Sequence, residues 1–288
     1  MVFEPERRSS LARWSRRLAV FSAVLLAVSA ISHRSGMIET VALFWLIGLV
    51  AGLALLGMGL ACQSFVEIWR DARRGFWDAA FGVVLAACVL SPYAFSTYRF
   101  FAYPMLNDVS TDWINPPQLL AAQALRHPVM NEIQHPEPES ISAQEAYFPD
   151  VTGRRYDLTA NRLLAIVGEL IAARGWTVAK LGAPTPHLPD DELAEQSEQT
   201  VDVVAYSPIL ALASDVSIRI VDEDTSSYVD VRSASRYGRH DLGQNARLIA
   251  SLLNDLDAEV AAQRGAPPES GESDPVEEIP IPTPAPAG

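Results

Sequence analysis

The sequence predicts a soluble α+β domain, an antiparallel sheet with two helices packed on one face, preceded by an all-α segment of three transmembrane helices. Three observations carry this. Apolar residues concentrate before Arg99, strands of alternating polarity recur between Val201 and Ser235, and amphipathic helical stripes lie on either side of those strands. Charge divides in the same place. Residues 1–98 hold 9 basic and 6 acidic residues (+3) and residues 99–288 hold 13 and 29 (−16), which together make the −13 of the whole chain. So acidic a soluble part repels phosphate backbones, and nucleic acid is not an expected partner. Both cysteines, Cys62 and Cys88, lie in or beside apolar runs, so disulfides, thiolate metal sites and cysteine nucleophiles are excluded from the soluble part. The expected organisation is a membrane segment over 1–98, an extracytoplasmic domain over 99–262 and a tail over 263–288.

The spans are expected at about 14–33, 40–61 and 77–97. Thr40 to Ala61 is 22 residues without a charge, about 33 Å of helix against a hydrocarbon core of about 30 Å. Ala79 to Thr97 adds 19 more. The first run, Leu18 to Ser32, has only 15 residues and needs Arg16 and Arg17 to snorkel and Trp14 to sit at the interface. Its other reading is a signal peptide, with Arg7, Arg8, Arg13, Arg16 and Arg17 as the basic region and Val28-Ser29-Ala30 as the cleavage site. Retention as a span is the expectation. Five arginines precede the first run, Arg34 alone follows it, and Arg70, Arg73 and Arg74 lie between the last two. The positive-inside rule then puts the N-terminus in the cytoplasm and the domain outside, whether or not the first run is removed. The expected location is a bacterial inner (cytoplasmic) membrane with a periplasmic C-terminal domain.

Small residues recur at four-residue spacing in each span: Ala19, Ala23 and Ala27, then Gly48 and Gly52, then Gly82 and Ala86. Such faces let helices approach closely, which is expected among the three spans, with oligomerisation through the same faces as the other reading. No ionisable group lies deep in a span, so the segment reads as an anchor in the lipid bilayer rather than an ion path.

The domain opens with a short strand and turn broken by Asn107-Asp108, Asp112 and Pro116-Pro117. His127 to Asp150 is rich in proline and polar residues and is expected to be irregular; His127 and His135 have no carboxylate at ligand spacing, and no metal or cofactor is expected. A helix follows from about Ala160 to Arg174, capped by Thr159 and ended by Gly175, and a strand begins at Trp176. Ala183 to Gln199, with three prolines, His187 and an acidic stretch, reads as a surface excursion. Strands are expected at Val201–Tyr206, Asp215–Val221 and Ser227–Ser235. Val216, Ile218, Ile220, Val229 and Val231 alternate with Asp215, Ser217, Arg219, Asp230 and Arg232, the pattern of a sheet with one buried face. Asp241 is placed to cap the last helix while Gln244 reaches back, and Leu242, Ala246, Ile249, Leu253, Leu256 and Val260 form its apolar stripe. From Arg264 onward, seven prolines and five acidic residues predict a disordered tail.

Two blocks, Leu106-Asn-Asp-Val-Ser-Thr-Asp112 with the following Pro116-Pro117, and Val229 to Leu253 (VDVRSASRYGRHDLGQNARLIASLL), resemble the domain-of-unknown-function family 1499 in order and spacing. The resemblance covers roughly residues 104–258. It implies an exported or membrane-linked domain with no established activity, and singles out Asn107, Asp108, Asp112, Asp241, Asn245 and Arg247 as motif residues of unknown role. Leu212-Ala213-Ser214-Asp215 departs from the family, which usually has a phenylalanine-containing loop and two adjacent aspartates there.

Arg219, Asp230, Arg232 and Arg236, with Arg239 and His240 just before the last helix, form the candidate ligand site, because arginines beside a helix N-terminus can hold a phosphate or carboxylate. Internal pairing with Asp230, Asp215 and Asp241 is the structural alternative. Three functions compete. The leading one is a non-catalytic module that binds an anionic ligand, a lipid head group or an envelope protein. The second is a hydrolase with His240 as base, Ser233, Ser235 or water attacking, and Asp230 or Asp241 orienting the histidine; no G-x-S-x-G, H-E-x-x-H or phosphate loop supports it, and no catalytic residue is assigned. The third is a structural subunit of an envelope complex.

Overall fold

The computed structural model describes residues 9–71, 73–181, 198–223 and 225–265. Residues 182–197, with His187, and the tail beyond Gly265 lie outside the described residues, whereas Glu198 and Gln199, expected in the excursion, are strand, and residues 263–265, expected in the tail, are helix. Three helices come first: α1 (Ser10–Arg34), α2 (Thr40–Asp71) and α3 (Phe76–Ala102), each long and apolar enough to cross a membrane. The short first apolar run is embedded in a helix of 25 residues, whose start is capped by Ser9 accepting the Ala12 N–H at 3.3 Å.

Small residues set how closely these helices pack. The inward stripe of α1 is Ala12, Ser15, Ala19, Ser22 and Ser29; α3 meets it with Ala79, Gly82 and Ala86. A methyl group on Gly82 would stand 2.6 Å from Ser15 Oγ and 3.2 Å from the Arg16 backbone nitrogen, so only glycine fits. On α2 the inward stripe is Leu43, Val50, Ala54, Gly57, Ala61 and Ser64. Gly48 and Gly52, expected among the packing faces, instead point outward with nothing within 4 Å of an added methyl. The reason is angular: Gly48 and Gly52 are each two residues from Val50, roughly 200° around the helix from the buried line. Tyr93 of α3 donates to the Ile47 carbonyl of α2 at 2.9 Å, and Arg16 joins Asp78 at 2.8 Å near one end of the bundle.

The domain is built on a six-stranded antiparallel sheet. Its strands are β1 (Asp108–Ser110), β2 (Arg154–Tyr156), β3 (Thr177–Leu181), β4 (Glu198–Tyr206), β5 (Ala213–Asp222) and β6 (Ser227–Ser235). The order is β1-β6-β5-β4-β3, with β2 pairing the other half of β6, so two short strands share one edge. Helices α6 (Ala160–Ala173) and α7 (Gln244–Gly265) cover one face. Leu163, Ile166, Val167 and Ile171 of α6 and Ala246, Ile249, Leu253 and Leu256 of α7 meet Val203, Val216, Ile218, Ile220, Val229 and Val231 in one core. Each large side chain so buried contributes about 1.5–3 kcal/mol. Helix α6 ends in a Schellman turn: Gly175 has φ +65°, its N–H donates to Ala172, and the Trp176 N–H donates to Ile171. Thr159 holds the N-cap position, but its hydroxyl makes no capping bond.

Three expectations need correction. The stretch His127–Asp150 is not wholly irregular: α5 (Pro138–Tyr147) forms there, with proline in the first turn, where its missing N–H costs nothing. Together with α4 (Leu120–Leu125), the segment between β1 and α5 lies over the second face of the sheet, where it meets Asp202, Ser217 and Arg232. That face was expected to meet water, yet Asp215, Ser217, Arg219, Asp230 and Arg232 are all buried. The last helix begins at Gln244, after Leu242 (φ +58°) and Gly243 (φ +66°). Leu242 is therefore outside the helical stripe. The Asp241 N–H, expected to be met by Gln244, donates instead to the Leu106 carbonyl at 2.8 Å.

Candidate functional site

Strand register places the charged residues of the second face. Arg219 on β5 lies directly opposite Asp230 on β6, and Ser217 opposite Arg232. Arg219 Nη2 donates to Asp230 at 2.7 Å and to Asp112 at 3.1 Å, while Thr111 donates to the other oxygen of Asp230 at 3.0 Å. Burial alone would lower the Arg219 pKa; the hydrogen bond and charge of Asp230, together with the charges of Glu198 and Asp112, outweigh it and hold the pKa above its ordinary value. Arg232 grips Asp108 with two bonds, at 3.0 and 2.7 Å, and also reaches the Gln134 and Pro117 carbonyls. Asp215 accepts Arg236 on one oxygen at 2.7 Å and Arg126 on the other at 2.8 Å. Sequence reasoning missed Arg126, which sits in the stretch before His127 and also donates to Asn131 and Ala234.

The candidate arginines of the two strands are therefore brought together, but roofed over and bonded to aspartates of the same domain. The covering segment adds its own ties: Ser217 donates to Gln118, and Asp202 accepts the Ala121 N–H. Gln144 of α5 bonds both the N–H and the carbonyl of Ser110, filling the open edge of β1 as a strand would. Arg239 is apart from them, exposed and without an ion-pair partner among the described residues.

The motif residues join the two ends of the domain. Asn245, fully buried on the first turn of α7, accepts Ser233 Oγ at 2.8 Å and donates to Ser235 Oγ and the Asn107 carbonyl at 3.0 Å. The Asp241 carboxylate accepts the N–H groups of Gly243 and Asn245 at 2.7 and 2.8 Å. Burial raises its pKa, against the opposing pull of those two bonds and of nearby Arg99. His240 Nδ1 accepts the Leu242 N–H at 2.9 Å, which leaves Nε2 to donate to the Phe100 carbonyl at 3.1 Å. With its one free lone pair so engaged, and both serines bonded to Asn245, His240 is not poised as a base toward Ser233 or Ser235.

The same His240 bond ties the domain to the end of α3. A second tie is made at the α1–α2 turn, where His33 Nδ1 donates to the Leu210 carbonyl at 2.6 Å and Arg34 to the Pro208 carbonyl at 2.7 Å. Between these ties lies a cleft of about 2000 Å³, walled by all three long apolar helices, the β4–β5 connection and the start of α7. Its lining is mostly apolar, and its charged residues are Arg34, Arg99, Arg174 and Arg247 against Glu39. Arg174 is paired with Asp255. Arg34, Arg99 and Arg247 have no ion-pair partner among the described residues, and Arg247 bonds only the Gly243 carbonyl.

Three long apolar helices joined to a two-faced α+β module, with a basic cleft at the junction, are the class of protein defined by this fold. The family described as protein of unknown function (DUF1499) matches residues 108–256, more than half of the chain, and the chain belongs to that family. No curated protein and no solved structure matches it.

Proposed function

We propose that the three helices cross a bacterial inner membrane with the N-terminus in the cytoplasm, and that the protein is a non-catalytic module binding an anionic ligand outside it. The arginine distribution, five before the first span against Arg34 alone after it, supports this orientation. Packing of α1 against both other helices supports its retention as a span. The ligand site is the cleft between spans and domain. One observation carries this reading: in a chain of net charge −13, the charged side chains lining one large cleft are, beside the paired Arg174, three arginines without a carboxylate partner among the described residues and a single glutamate. Such a cleft concentrates anions, whereas the arginines under the sheet already have carboxylate partners.

The test is thermal unfolding of the full chain in an uncharged detergent with added small anions, anionic amphiphiles, their zwitterionic counterparts or cations. A ligand at about 100 times its Kd stabilises by about 2.7 kcal/mol. A raised midpoint with one or more anions and no effect of cations is expected. Equal response to every class would remove the reading.

A further inference from the structure

Arg99 stands out within the cleft. It is 7% exposed, it lines the cavity, and its Nη2 is buried without a hydrogen-bond partner. Its guanidinium lies over the rings of Phe95, one turn earlier on α3, and Tyr103, the residue that ends the helix, at 5.7 and 5.0 Å. Ring faces answer the positive charge, but they are poor acceptors for the five N–H groups. The nearby Asp241 is already engaged by Gly243 and Asn245 and does not form an ion pair with Arg99. A buried guanidinium left in this state costs free energy that a bound oxyanion would recover.

The shape of the cavity defines what carries that oxyanion. Along α3 the lining runs from Leu85 to Arg99, about 21 Å of helix, more than the depth of one leaflet of a core about 30 Å thick. On α1 it includes Ala23, Leu26 and Ala27, all apolar. Its volume of about 2000 Å³ exceeds the roughly 300–1,000 Å³ of sites for drug-sized ligands. Arg34 and Arg247 also line it. Resting on the reading above, we infer that the cleft holds one anionic phospholipid drawn from the bilayer, with its phosphate on Arg99 and Arg247 and its acyl chains against α1 and α3.

The experiment uses the full chain in detergent, equilibrated with equal amounts of phosphatidylglycerol and phosphatidylcholine, with retained lipid read by native mass spectrometry. One phosphatidylglycerol per chain is expected, retained about 10-fold or more over phosphatidylcholine. Arg99→Gln removes that preference about 10-fold, the size of one charge-assisted hydrogen bond. Arg247→Gln, at an exposed position, gives the same direction of change without risk to the core. Ala27→Phe, which fills the apolar wall, lowers phospholipid retention while leaving the response to glycerol phosphate intact. Equal retention of the two lipids, or a preference unchanged in both arginine variants, overturns the inference. Competition by glycerol phosphate or inorganic phosphate at the same concentration as lipid also overturns it, but leaves an anion-binding cleft standing. If no anion of any kind binds, both conclusions fall.

Discussion

At the scale of single residues, the determining fact is which hydrogen-bonding groups are already satisfied. Asp112, Asp108 and Asp215 each complete an arginine, and Asn245 completes two serines and a carbonyl. The motif residues were recognisable in the sequence because they form two contiguous blocks; their partners were not, since Asp108 and Arg232 are 124 positions apart. Arg99 carried a readable signal, a lone basic residue at the end of an apolar run with aromatic residues four positions away on each side. Its isolation from acceptors depends on which groups surround it in space. Asp241 yields a prediction with a definite sign. Burial raises its pKa in the folded protein, so the folded state holds its proton more tightly than the unfolded chain does. The stability contributed by the protonated form is complete below the unfolded value of about 3.9 and is lost as pH rises through the raised folded value. Measured by chemical denaturation of the full chain, the native protein should lose stability relative to Asp241→Asn as pH climbs through that window, then level off. Parallel profiles would show that Asp241 does not titrate this way.

At the scale of elements, alternation along β5 and β6 correctly assigned residues to two faces, and the apolar period of α6 and α7 correctly marked their inward sides. What it could not tell was that both faces are covered. Alternating polar residues normally face water, and here they meet a covering segment whose own ties are backbone carbonyls and single side chains, which leave no periodic trace. Asp215 shows the energetic consequence. It is the shared carboxylate of Arg126 and Arg236, and all three side chains are largely buried. Asp215→Ala leaves two buried cations without their partner and should destabilise the domain by about 3–5 kcal/mol. Denaturant unfolding of the full chain checks this, and a loss below about 1 kcal/mol would mean the cluster is better hydrated than its burial indicates.

At the scale of the whole molecule, the three apolar helices and the domain are tied by the His33, Arg34 and His240 contacts and enclose the cleft between them. Within the helical part, α3 comes against the backbone of α1 at Gly82. Gly82→Ala should force the two helices apart and cost about 1–3 kcal/mol, read as a lower thermal midpoint in detergent, while Gly52→Ala, whose added methyl meets nothing, should leave the midpoint in place. Equal effects of the two would refute this account of the packing. The three apolar helices, the strands β4, β5 and β6, the two covering helices and the family were legible in the sequence, because they rest on local periodicity and contiguous motifs, whereas the three-residue β2 is too short to leave a period. The pairing of every arginine under the sheet, the outward turn of Gly48 and Gly52, and the basic cleft were decided only by the tertiary structure. Each depends on groups distant in the chain meeting in space, and such distances leave no periodic signal along the sequence.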